Sequence, residues 1–177
     1  DSLKIVRKSV LIYETIIPGA TGKSALAIYI SYKYNGIYWN LAKIKLGNNS
    51  FVGTILSAVS APEYSNFIKD LNESNVMLII DAFDEAEIVS GRKMISSFIS
   101  EINNCLDNKT NTSVIFLART ETAQFIASFC LENSISINHY EIGFFTEDKA
   151  HEFIKKNIET QRENVSQVTI DCIDEYY

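Results

Sequence analysis

Arginine is scarce in this chain. Arg7, Arg92, Arg119 and Arg162 are all there is, so any arginine clamp on a phosphate group must be small. Basic charge as a whole is outweighed, with 16 Lys and Arg against 22 Asp and Glu. A net charge of −6 argues against a domain-wide basic footprint, and nucleic acid is not indicated as a partner. Cysteine is limited to Cys105, Cys130 and Cys172, an odd count at wide spacing. None stands at a metal-ligand spacing from His139 or His151, so there is no zinc signature. Reduced, buried or half-buried thiols are expected, as in a cytoplasmic, reducing compartment. No apolar run nears the roughly 18 residues of a membrane span, no signal peptide opens the chain, and there is no internal repeat or low-complexity segment.

What is present is a core. Hydrophobic residues make up 46 % of the 177 and charged residues 21 %, the balance of a globular protein of one domain with room for the start of a second. The chain opens Asp1-Ser2-Leu3-Lys4 and closes Asp174-Glu175-Tyr176-Tyr177. It reads as a piece of a longer protein, with further parts expected outside it.

Apolar, β-rich runs alternate with helical patterns. Ser9 to Tyr13 reads as a buried strand and Lys23 to Tyr34 as a helix with Leu26, Ile30 and Tyr34 on one face. Asn35-Gly36 is expected to end that helix, with Gly36 in the left-handed cap. Ile37 to Leu46 is a second strand region, and Val52 to Ser60 and Glu63 to Asn72 are helical. Val76 to Ile80 has no polar residue, as in a parallel strand buried on both faces. A long amphipathic helix is predicted from Gly91 to Leu106, a strand over Ser113–Ala118, a helix over Thr122–Leu131 and a fifth strand over Ile135–Ile142. From Thr146, a candidate cap, the pattern is helical again, with Lys149 to Ile158 as its body. This alternation predicts an α/β fold with a mostly parallel five-stranded sheet covered on both faces. The domain spans residues 1–143, and residues 144–177 begin a small helical subdomain.

Two motifs carry chemistry. Ile17-Pro18-Gly19-Ala20-Thr21-Gly22-Lys23-Ser24 aligns with the phosphate-loop pattern G-x-x-x-x-G-K-[ST] at Gly22, Lys23 and Ser24. Ile17 stands where the first glycine belongs, and Gly19 follows two positions later. In such loops backbone N–H groups at a helix start cradle phosphate oxygens. Gly19, Ala20, Thr21, Gly22, Lys23 and Ser24 are therefore the candidate nucleotide-binding residues. Lys23 is expected on the β/γ phosphates and the Ser24 hydroxyl on Mg²⁺. The competing reading is a strand–turn–helix that contains Gly-Lys-Ser by chance.

Downstream, the apolar run Val76-Met77-Leu78-Ile79-Ile80 ends in Asp81, followed by Ala82-Phe83-Asp84-Glu85. A carboxylate at the carboxyl end of a buried parallel strand sits where open α/β sheets take their ligands. Asp81 is the candidate Mg²⁺ residue. Asp84 and Glu85 are candidates to orient or deprotonate a water attacking a γ-phosphate. The bland alternative is a solvated acidic turn favoured at a helix N-terminus.

Ile79 to Glu85 resembles the hhhhD-[GAS]-h-DE signature of NACHT-type NTPases, within the STAND class of P-loop proteins. Ser113 to Thr120 is similar to that family's sensor strand, with Ala118 in place of the usual hydroxyl residue and Arg119 retained. Tyr140 to Asp148 resembles the strand, Gly-Phe and acidic helix start that lead into its small helical domain. The resemblance spans about residues 8–158. It implies a three-layer P-loop fold and an ATP- or GTP-driven switch, with Arg119 as γ-phosphate sensor and ADP-like states closed and monomeric. It also implies homo-oligomers in the triphosphate state, effector and sensor parts elsewhere in the protein, and a place in intracellular defence signalling. ATP/ADP and Mg²⁺ are the cofactors implied.

Other residues read as structural. An ion pair with Asp84 or Glu85 is the alternative for Arg119. His139 and His151 read as structural or solvent-facing, and Lys155-Lys156 as a solvated face. Tyr29, Tyr32, Tyr34, Tyr38 and Trp39 are expected to pack in the core, since no basic stripe accompanies them. Two rival functions remain: a P-loop motor or small-molecule kinase, for which arginines are few, and a degenerate P-loop scaffold without turnover, for which Ile17 and Ala118 speak.

Overall fold

Apolar runs bounded by polar turns become strands and amphipathic stretches become helices, in alternation along the chain. The computed structural model describes residues 9–14, 22–106 and 114–142, and beyond these Thr146, Asp148, Lys149, His151, Glu152 and Lys155. Its elements are β1 (Ser9–Glu14), α1 (Lys23–Lys33), β2 (Gly36–Asn40), α2 (Ser50–Ala58), α3 (Ala61–Asn72), β3 (Met77–Asp81), α4 (Phe83–Ser90), α5 (Arg92–Cys105), β4 (Val114–Arg119), α6 (Thr120–Glu132) and β5 (Ile137–Ile142). The fold is α/β, as the alternation predicts. The chain divides into two compact units, residues 1–142 and 143–177, and the sheet with its helices lies within the first.

The strands run in the order β2-β3-β4-β1-β5, and every pairing is parallel. From β1 the chain travels past β4 and β3 to β2. It then reverses and passes through β3 and β4 to β5. Right-handed crossovers require the helix of the first leg to lie on one face and those of the return on the other. The core divides accordingly. Ala27 of α1 packs with Met77, Ile79, Ile115 and Leu117. Leu78, Ile80, Val114, Phe116 and Ala118, on the opposite face, meet apolar side chains of α2 to α6. Successive strand residues point to opposite faces, so β3 is buried along its whole length.

The larger face is organised by aromatics. Trp39 lies 5.8 Å from Phe51 and 5.7 Å from Phe98, and Phe83 lies 6.3 Å from Phe98 and 5.4 Å from Phe116. Such tilted and edge contacts add roughly 0.5–1.5 kcal/mol each beyond area burial. They fix α4 to the sheet immediately after Asp81.

Several elements depart from the sequence reading. The second strand stops at Asn40, whose side chain accepts from Ala42 N at 2.9 Å and opens a 3-10 turn, Leu41–Lys43. Asn35, with φ 52°, takes the left-handed position instead of Gly36. Gly36 starts β2, where a Cβ would strike Ile79 and lie 3.0 Å from the Ser31 Cα. The helix before α5 is one that the sequence pattern does not predict. Gly91, at φ 78° and ψ 160°, separates the two in a conformation that only glycine adopts readily. α1 contacts the sheet through the fully buried Ala27. Tyr34, expected on its buried face, is exposed, as are Tyr29 and Tyr32 (91 % exposed). These three tyrosines are not core residues, and Lys33 Nζ sits 5.4 Å from the ring centres of Tyr29 and Tyr34. Among the described residues, α1 meets this face of the sheet through a narrow contact centred on Ala27, which leaves its tyrosines outward. Among the described residues, no helix is long and apolar enough to cross a membrane.

Candidate functional site

In an open α/β sheet the ligand crevice lies at the carboxyl ends of strands whose connections leave on opposite faces. Here those strands are β1, which leads to α1, and β4, which leads to α6 on the other face. Arg119 closes β4 in register with Glu14 of β1. Asp81 closes β3, the other neighbour of β4.

α1 starts directly after Gly22, at φ 79°, ψ 15° and without a capping side chain. Leu26 N donates to Gly22 O at 2.7 Å, which closes the first helical turn. The opening N–H groups of a helix carry partial positive charge, and Lys23 and Ser24 belong to this turn. Ser24 Oγ donates to Asp81 Oδ2 at 2.6 Å across 57 residues of sequence. The two motif ends identified from sequence are thus brought together. Gly19, Ala20, Thr21 and Ile17 lie outside the described residues.

Asp81 is 2 % exposed, and a buried carboxylate has to be compensated. Among the described residues, three hydrogen bonds contribute to that compensation. Besides Ser24, Tyr38 OH donates to Oδ2 at 3.0 Å and Ala82 N donates to Oδ1 at 2.8 Å. Asn40 Nδ2 in turn donates to Tyr38 OH at 3.4 Å. Burial, reinforced by the Asp81 carboxylate, pushes the Tyr38 phenol above its ordinary range, so it stays protonated as a donor at neutral pH. Sequence reasoning places Tyr38 in the core and misses this task. The signal that marks it is a polar pair, Tyr38 and Asn40, two apart at the carboxyl end of an otherwise apolar strand and on one face of it.

The acidic pair sits in the first turn of α4, where carboxylates complement the helix dipole. Arg119 engages both members. Its main-chain N donates to Asp84 Oδ1 at 2.7 Å. Its Nε lies 3.0 Å from Asp84 Oδ2, and a terminal guanidinium nitrogen lies 3.9 Å from Glu85 Oε1. The ion pair weighed as the alternative for Arg119 is therefore present. Glu85 Oε2 is buried with no hydrogen-bond partner among the described residues. Burial pushes the Glu85 carboxyl above the usual range and the neighbouring Asp84 adds to this, while its own backbone N–H and Arg119 pull the other way. Ala82, between the two acidic groups, takes the left-handed conformation at φ 67°, which small residues tolerate best.

Behind this pair, Glu87 accepts from Arg92 Nε at 2.6 Å and from Thr122 Oγ1 at 2.6 Å. This knits α4 to α5 and α6. Arg92 also stacks 5.1 Å from the Phe125 ring centre, so it braces helices and does not reach the site. His139 and His151 are exposed, in keeping with the solvent-facing role expected of them.

The residues suit a magnesium ion accompanied by phosphate. Mg²⁺ is held by one or two protein oxygens, with waters and phosphate oxygens completing its octahedron. A serine hydroxyl that donates its proton to Asp81 keeps lone pairs for a cation. A metal cage made by protein alone is a different matter: among the described residues, no group of three His, Cys, Asp or Glu could form one.

No protein-family profile matches this chain, and no curated protein matches it.

Proposed function

We propose that this chain is the nucleotide-binding and hydrolysing switch domain of a STAND-type, NACHT-like signalling protein with a P-loop fold, using ATP in preference to GTP. The observation that carries the reading is the 2.6 Å hydrogen bond from Ser24 to Asp81. It joins a Gly-Lys-Ser helix start to an acidic strand end at the switch crevice of the sheet. Each residue then has a task. The turn at Gly22 and the start of α1 receive phosphate oxygens, and Lys23 pairs with the β/γ phosphates. Ser24 and Asp81 hold Mg²⁺, which when bound neutralises charge on the phosphates. Glu85 polarises the attacking water, and burial raises its carboxyl above the usual range, the direction that favours a general base. Asp84 positions Arg119, which exchanges its hold on the acidic pair for the γ-phosphate.

The proposal extends to slow turnover, homo-oligomers in the triphosphate state, effector and sensor parts elsewhere in the protein, and a cytoplasmic, defence-related setting. Nucleotide binding by the purified chain, with ATP, GTP and ADP in the presence of Mg²⁺, is the test. Lys23→Ala should weaken binding by roughly 10- to 100-fold, the loss of one charge-assisted contact. Glu85→Gln should bind normally and turn over far more slowly. Absence of binding by the folded wild-type chain would discard the proposal.

A second reading has one observation in its favour. Arg119 already occupies Asp84 and Glu85, as it would in a degenerate P-loop interaction scaffold without turnover. A folded wild-type chain that does not bind nucleotide, with partner binding unchanged in Lys23→Ala, selects that reading.

A further inference from the structure

The chain of contacts behind Asp81 leads away from every residue that the sequence motifs single out. The 3-10 turn Leu41–Lys43 locks Asn40, whose Oδ1 accepts from Ala42 N at 2.9 Å. Asn40 Nδ2 reaches Tyr38 OH at 3.4 Å, and Tyr38 OH reaches Asp81 Oδ2 at 3.0 Å. That oxygen is also the acceptor of Ser24. The register of the sheet enforces the relay, since Tyr38 lies opposite Ile79 and Asn40 opposite Asp81 in the β2–β3 pairing. Tyr38 also packs against the smaller core beside α1, so its ring is held by a rigid element and not by a loop. Groups that orient a metal-ligating carboxylate from a second layer control how well the ion is held.

We infer that Tyr38, seated by Asn40, is a positioning residue for the divalent cation: its phenol holds the Asp81 carboxylate beside Ser24 so that the two receive Mg²⁺ together. The inference rests on the nucleotide reading given above. It assigns β2, an edge strand outside both motifs, a part in cation affinity. A purely structural role would weaken the fold and nucleotide binding alike. A positioning role is specific to the cation.

The test is the affinity of the purified chain for a fluorescent ATP analogue, mant-ATP, at graded Mg²⁺ and in excess EDTA. Wild type, Tyr38→Phe and Asn40→Ala are compared, with thermal melts alongside. Tyr38→Phe keeps the ring and removes only the hydroxyl. It should raise the Mg²⁺ concentration for half-maximal enhancement of binding about tenfold, at the low end of second-layer effects. Its affinity in EDTA should equal that of wild type. Asn40→Ala should shift the midpoint in the same direction by less. A Tyr38→Phe midpoint equal to that of wild type overturns the inference and leaves nucleotide binding standing. So does an equal loss of affinity with and without Mg²⁺. If Tyr38→Phe does not fold, Asn40→Ala decides, and an unshifted midpoint there overturns the inference. Failure of wild type to bind mant-ATP at any Mg²⁺ concentration removes the nucleotide reading itself.

Discussion

Arg119 and Asp84 are joined twice, once through the main-chain N at 2.7 Å and once through Nε at 3.0 Å. The two bonds differ in kind, although both lie in an exposed position. The arginine side chain is 52 % exposed and the aspartate 14 %, so water screens the ion pair from the arginine side. The main-chain bond, by contrast, caps α6 at its N-cap residue. A lost cap that leaves an amide unpaired costs about 1–2 kcal/mol, whereas a half-exposed ion pair contributes at most about 1 kcal/mol. Asp84→Ala should therefore destabilise the chain more than Arg119→Ala, with Asp84→Asn between them. Urea unfolding of the three variants checks the order, and a larger loss in Arg119→Ala would contradict it.

Glu85 sets a pH dependence of opposite sign to that of an ordinary paired carboxylate. Its folded-state pKa is raised, chiefly by burial, so the folded chain binds this proton more tightly than the unfolded chain. Linkage then requires stability to fall as pH rises from the unfolded carboxyl value through the raised folded value, and the full penalty stands above it. Glu85→Gln carries no such charge. Relative to wild type it should gain stability at pH 7.5 compared with pH 4, read as the difference in urea midpoint between variant and wild type. A difference that does not change with pH would show that the ionised carboxylate is not penalised.

Much of this arrangement is legible in the sequence for a simple reason. Strands buried on both faces have to be apolar throughout, and Met77 to Ile80 and Val114 to Leu117 stand out on that ground alone. Asp81 and Ser24 are legible as partners because each sits where an element changes from one type to another. Tyr38 is not, because an aromatic residue in a strand reads as core whether or not its hydroxyl has a task. α4 escapes notice because the eight residues Phe83–Ser90 carry no cap and little apolar periodicity; tertiary packing of Phe83 and Ala86 fixes it. The outward tyrosines of α1 mislead for the converse reason. Which face of a helix is buried depends on how wide a surface it covers, and that is a property of the sheet.

Ala82 holds the left-handed conformation between Asp81 and the acidic pair. For an L-residue this costs roughly 1–2 kcal/mol, and for a β-branched one considerably more. Ala82→Val should lower stability by about 2–3 kcal/mol. Ala82→Gly should be neutral to slightly stabilising, since relief of strain offsets the added freedom of the unfolded chain. Thermal melts of both variants measure the asymmetry. A tolerated valine would mean that the turn relaxes without cost.

Glu101 stabilises α2 from outside it. α2 opens at Asn49, itself left-handed at φ 58°, and has no side-chain cap of its own. Glu101 of α5 supplies one: Oε1 accepts from Asn49 N at 2.7 Å and Oε2 from Phe51 N at 2.9 Å. The carboxylate satisfies two amides at a helix start and lies at the positive end of its dipole. Phe51 is fully buried and meets Phe98, a residue of the same helix as Glu101, at 6.0 Å between ring centres. Cap and aromatic contact therefore dock α2 onto α5 together. Glu101→Ala should cost about 1–2 kcal/mol, and Glu101→Gln less, because it keeps one acceptor and loses the charge. Since the two contacts share a helix pair, Glu101→Ala and Phe51→Leu should be non-additive in a double-mutant cycle, with a coupling of at least about 0.5 kcal/mol. Strict additivity would mean that the cap holds only the local turn and does nothing for the docking.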